Sequence, residues 1–103
     1  MSSTPQEKKR YRSIGHKLRP VVTIAEKGLT DNVRKELNRA LEEHELIKVK
    51  IAAGDRQAKN AIRDEMLELL GVECIQQIGH VILLFRAARK PDPRLSNLLR
   101  TLT

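Results

Sequence analysis

Six residues, Leu46-Ile47-Lys48-Val49-Lys50-Ile51, constrain this chain more than any other stretch. From Ile47 on, alternation sends Ile47, Val49 and Ile51 to one face of a strand and Lys48 and Lys50 to the other. Such a strand needs a partner layer on its apolar side and a polar environment on its lysine side. The runs on either side supply the layer. Val33, Leu37, Ala40 and Leu41 before it, and Ala58, Ile62, Met66, Leu69 and Leu70 after it, recur at helical spacing. Thr30 and Asp55 stand at the N-cap positions of these two helices, and Gly71 supplies a stop for the second.

The other elements follow from their punctuation. Thr4-Pro5-Gln6-Glu7 opens a helix, with Thr4 as N-cap, Pro5 at the first helical position and Glu7 closing a capping box. Tyr11, Ile14 and Leu18 fall on one side of it. Lys8, Arg12, His16 and Arg19 form a separate basic stripe if the helix passes Gly15 and reaches nearly to Pro20. The β-branched Val21-Val22-Thr23-Ile24 suits a buried strand. Glu73 to Ile78 and Val81 to Phe85 read as two strands joined by the hairpin turn Gly79-His80. The predicted order is αβαβαββ. Right-handed crossovers put the second and third helices on one face, which gives an α/β two-layer sandwich with a four-stranded mixed sheet. Lys48 and Lys50 then look out from a helix-free face. The terminal RAARKPDPRLSNLLRTLT carries two prolines and an LSNLL pattern compatible with a last helical turn or with a mobile end.

Charge separates the ends from the middle. Residues 1–20 hold six Lys/Arg against one Glu, residues 86–103 five against one Asp, and the middle nine against eleven acidic groups, within a net charge of +7. Two basic ends on a near-neutral core favour a polyanionic partner, because cations on nucleic acid release counterions. Tyr11 and Phe85 are the only aromatic residues. Without a ring platform, bases are not read by stacking, and binding through backbone and shape suits folded RNA.

Catalytic and metal chemistry find no motif. His16, His44 and His80 lack metal-ligand spacing, Glu42-Glu43 and Asp64-Glu65 are adjacent helical pairs that diverge, and no phosphate-binding Gly-rich signature is present. The lone Cys74 has no CxxC partner, and strand alternation groups it with Val72, Gln76 and Ile78. The expectation is a cytoplasmic, monomeric, non-enzymatic protein with no cofactor, metal, membrane span or small-molecule substrate. Two other readings stand beside RNA binding: a DNA-binding module, and a protein-interaction module that docks through Leu95, Leu98 and Leu99.

The turn Ile24-Ala25-Glu26-Lys27-Gly28-Leu29-Thr30 sits between strand and helix, where free N–H groups favour an anion and Lys27 adds charge. The stretches IGHKLRPVVTIAEKGLT, HELIKVKI and IGHVILLFR, spread over Ile14 to Arg86, closely resemble the bacterial stand-alone CRM-domain proteins of the YhbY family. The resemblance implies an RNA-binding domain over residues 1–88, the N-terminal basic helix included, with a basic tail over 89–103. It implies a fold similar to the C-terminal domain of a translation initiation factor, and association with ribosomal RNA in precursors of the large ribosomal subunit. Plant relatives carry the domain in intron-splicing factors. The family's GxxG loop falls on Ala25-Glu26-Lys27-Gly28, where Ala25 replaces the first glycine and Glu26 brings a negative charge. The expected RNA-binding residues are Lys8, Arg12, Lys17, Arg19, Glu26, Lys27, Gly28, Lys48 and Lys50.

Overall fold

A computed structural model of the chain describes residues 3–100, so the outermost ends of the expected domain and tail, residues 1–2 and 101–103, lie outside the described residues. The elements are α1 (Pro5–Gly15), β1 (Pro20–Ile24), α2 (Asp31–His44), β2 (Leu46–Ile51), α3 (Arg56–Leu70), β3 (Glu73–Ile78), β4 (Val81–Phe85) and α4 (Asn97–Arg100). The predicted order is present, with α4 added. Each long helix begins at its side-chain cap: Thr4 accepts from Glu7 N–H while Glu7 reaches back to Thr4 N–H, Thr30 accepts from Val33 N–H, and Asp55 accepts from Ala58 N–H.

The sheet runs β1-β2-β4-β3, with β1 and β2 parallel and the other two pairs antiparallel. On one face Ile47, Val49, Ile51, Ile82 and Leu84 meet Leu37 and Leu41 of α2 and Ile62, Met66 and Leu70 of α3. Fully burying one such aliphatic side chain contributes about 1.5–3 kcal/mol, so this shared stripe holds the two layers together. Leu69, expected in that stripe, is 47% exposed. The α3 face that meets the sheet is narrower than five apolar positions.

The opposite face is not helix-free, as the alternation suggested. There Leu46, Ile75 and Leu83 pack with Tyr11 of α1 and Leu98 of α4, and Ile14, Leu18 and Phe85 close the cluster. Tyr11 and Phe85 stack with ring centroids 4.8 Å apart, so both aromatic rings serve the core. Gly15 lets α1 come this close, since a Cβ there would stand 2.7 Å from a methyl of Leu83. The helix also stops at Gly15, so Arg19 lies beyond it and the four-residue basic stripe is not continuous. A register shift between Cys74 and Gln76 in β3 changes another expectation. Cys74 sits opposite Leu84 and packs toward α2 and α3, while Gln76 and Ile78 pair with Leu83 and Val81 and take the other face. A bulge adds one residue, and one residue flips every later side chain.

The segment after β4 returns to the domain. Asn97 Nδ2 donates to Leu46 O at 2.7 Å, Ser96 Oγ to Glu45 Oε1 at 2.7 Å, and Arg10 Nη2 to Leu98 O at 2.7 Å. Leu98 is thereby committed to the chain's own core and is not free to dock on another protein, while Leu95 and Leu99 stay 39% exposed.

Candidate nucleic-acid interface

The loop after β1 is a hydrogen-bonded turn. Gly28 N–H donates to Ala25 O at 2.9 Å, and Thr30 N–H donates to Gly28 O at 3.0 Å just before α2 begins. Gly28 has φ +74°, whereas Ala25 is not among the positive-φ residues, so alanine at the first position of the turn carries no backbone penalty. The second glycine is required. A Cβ on Gly28 would find ordinary space, its nearest neighbour being Ile62 Cγ1 at 3.9 Å. The cost of a side chain there is therefore conformational. Gly28→Val is expected to destabilise the fold by about 1–2 kcal/mol, more than Gly28→Asn, which tolerates that region. In thermal unfolding this is a drop of roughly 4–8 °C per kcal/mol. A Gly28→Val protein that melts like the parent would contradict the left-handed turn.

Ala52 N–H donates to Ile24 O at 2.8 Å, which ties the β2–α3 connection to this loop. A Cβ on the neighbouring Gly54 would meet Glu26 Oε1 at 3.8 Å, so the Glu26 carboxyl lies toward that second loop. Both connections stand at the carboxyl ends of the two parallel strands, with the starts of α2 and α3 beside them. Ligands of open α/β sheets commonly bind there. Glu26 and Lys27 are exposed.

A second group lies where β1 and β2 meet the α1–β1 connection. Hydrogen bonds from Lys17 N–H to Ile14 O and from Leu18 N–H to Gly15 O, both 3.0 Å, curl the chain after α1 toward β1. Lys17, Arg19 and Lys48 thereby line one groove, whose far wall is Asn97 and Arg100 with His44 at its edge. Lys50, one step along β2, is exposed on the same sheet face and pairs across β1 with the exposed Thr23. Arg100 is a cation that sequence reasoning missed. Its signal was LSNLLR, whose helical spacing carries the arginine into the groove once Leu98 docks.

Lys8 and Arg12 are placed apart from this group. Lys8 Nζ is 3.8 Å from a Glu73 oxygen near the start of β3, and Arg12 is half-buried in the last turn of α1. The nine expected residues thus fall into three places: α1, the β1–β2 half of the open face with its connection, and the Ala25–Gly28 turn.

Among the described residues no three His, Cys, Asp or Glu side chains gather to hold a metal ion, and no helix is long and apolar enough to cross a membrane. Burial pushes the Cys74 thiol above its ordinary value, against a lowering by the Arg63 cation, so the neutral thiol is favoured.

With this geometry in hand, known proteins place the chain. A probable RNA-binding protein of Pseudomonas aeruginosa is 45% identical over 100 residues, covering 97% of this chain and 96% of its own. An RNA-binding protein of Haemophilus influenzae is 36% identical over 90 residues, covering 87% of this chain and 91% of its own. The solution structure of a hypothetical protein from Staphylococcus aureus superimposes with a TM-score of 0.73 at 28% identity, over 86% of this chain and 93% of that one. Residues 4–86, from the cap of α1 through β4 to Arg86, match the profile of the CRS1/YhbY (CRM) domain. The chain belongs to the CRS1/YhbY (CRM) domain family.

Proposed function

We propose that this chain is a non-enzymatic RNA-binding protein that grips structured ribosomal RNA in precursors of the large ribosomal subunit and assists their assembly. It acts as a monomer in the cytoplasm. The observation that carries the reading is the gathering of Lys17, Arg19, Lys48 and Arg100 around one groove, with Lys50 beside it and no acidic side chain in the lining. Cations so placed neutralise closely spaced phosphates. The relatives named as RNA-binding proteins in two bacteria support RNA as the polyanion. Both aromatic rings are committed to the core beneath α1, which favours shape and backbone recognition over stacking.

The test compares affinity for folded ribosomal RNA, duplex DNA of matched length and isolated ribosomal proteins at one salt concentration, with crosslinking in cells to map the attached RNA. RNA is expected to bind tightest, and crosslinks to fall on large-subunit RNA. Equal affinity for duplex DNA would sink the RNA reading, and crosslinks confined to other transcripts would sink the ribosomal one.

A further inference from the structure

The cationic groove has a neighbour of opposite character. Between the end of α1 and the β3–β4 hairpin lies a cleft of about 240 Å³ walled by Gly15, Ile78, Val81 and Leu83, beside the groove of about 230 Å³ already described. Lys48 lines both. The chain itself passes between them, since His16 borders the cleft and the next residue, Lys17, borders the groove. The cleft begins where α1 stops: Gly15, the last residue of the helix, lies so close to Leu83 that a Cβ would stand 2.7 Å from its methyl, and beyond that contact no helix among the described residues covers the sheet there. Its outer wall is unusually apolar for a solvent-facing position, with Ile78 62% exposed. His16 and Gln76 stand at the cleft, and among the described residues neither side chain has a hydrogen-bond partner within the protein. Among the described residues no carboxylate lines either hollow.

An apolar slot with unengaged polar groups, joined through one lysine to a cationic groove, matches the chemistry of a nucleotide: a flat heterocycle with hydrogen-bonding edges, attached to an anionic phosphodiester. We infer that the sheet face beyond the end of α1 accepts one unpaired nucleotide of RNA, its base in the cleft beside Ile78 and Val81 and its phosphate against Lys17, Lys48 and Arg100. This rests on the RNA reading above and adds to it a preference for RNA with an extruded base. The cleft walls are aliphatic, so the base is held by apolar contact and edge hydrogen bonds. The C-terminal segment, beyond the family-matched residues 4–86, completes the phosphate side, with Asn97 Oδ1 accepting from Arg100 Nη2 at 2.6 Å.

The experiment uses three hairpin RNAs with one stem: a single bulged adenosine, the bulge deleted, and an abasic residue in the bulge. The bulged hairpin is expected to bind about tenfold tighter than the other two, through apolar contact and edge hydrogen bonds that the abasic and bulge-deleted hairpins cannot make. Ile78→Ser, at an exposed position, is expected to erase that preference while leaving the fully paired hairpin's affinity and the melting temperature near the parent's. Arg100→Ala is expected to flatten the salt dependence for the bulged hairpin by about one unit of slope. Equal affinity for the bulged and abasic hairpins overturns the base cleft while leaving RNA binding in place. Failure to bind any of the three overturns the cleft and the RNA reading together.

Discussion

Lys48→Glu with Lys50→Glu is expected to lower affinity for folded RNA by about a hundredfold, with two units less of salt dependence, while the protein stays folded. The magnitude follows from position. Lys50 is exposed and Lys48 half-buried on the same sheet face, and neither makes an ion pair among the described residues. Their replacement therefore removes little from folding, since exposed charges seldom contribute more than about 1 kcal/mol. Binding is different. Lys48 borders both the cationic groove and the apolar cleft, so a carboxylate there both deletes a phosphate contact and draws Lys17, Arg19 and Arg100 toward itself. Lys8→Ala is expected to matter far less, because Lys8 faces Glu73 at the other end of α1. The check is a salt titration of RNA affinity for each variant beside its thermal unfolding curve. An unchanged slope in the β2 double variant would remove this face from the interface.

What could be read in the sequence was whatever local chemistry decides. Caps at Thr4, Thr30 and Asp55 are short-range events between residues three apart, and all three hold in the fold. The alternation of β2 is likewise local, and Ile47, Val49 and Ile51 do lie under α2 and α3. The sequence could not reveal what sits on the other side of the sheet. Leu46 carries no mark that says whether α1 or solvent covers it, and the packing of Tyr11 and Leu98 there joins residues from opposite ends of the chain. The bulge that turned Gln76 and Ile78 away from Cys74 has no Gly or Pro to announce it. The site was legible to the same degree. Lys48 and Lys50 were placed by period alone, but their grouping with Arg100 depends on a docking that begins some 50 residues away in sequence, at Glu45 and Leu46.

Glu45 is the residue on which that docking turns, and Glu45→Ala is expected to cost about 2–3 kcal/mol, or roughly 8–24 °C in melting temperature. It closes α2 with φ +62° and ψ −49°, near the strained γ-turn region, and is the only non-glycine among the described residues with positive φ. The strain has a local return: in this conformation its N–H still reaches Leu41 O, its carbonyl accepts from Arg86 N–H at 3.0 Å, and its carboxylate turns inward at 6% exposure. There one oxygen accepts from Ser96 Oγ at 2.7 Å and the other from Ala88 N–H at 2.9 Å. Alanine keeps the unfavourable φ and strands both donors, of which Ser96 is fully buried. Each stranded donor costs about 1–3 kcal/mol unless the segment moves out to water. Glycine separates the two causes. Glu45→Gly loses the same bonds but relieves the backbone, so it is expected to be about 1 kcal/mol more stable than Glu45→Ala despite its looser unfolded chain. If release of the segment is the outcome, amide exchange at Leu98 should accelerate in both variants ahead of global unfolding. The affinity for bulged RNA should then fall toward that of Arg100→Ala, because the groove has lost its far wall. Glu45→Ala with parental stability and parental exchange at Leu98 would mean that the C-terminal turn is held by Leu98 and Asn97 alone.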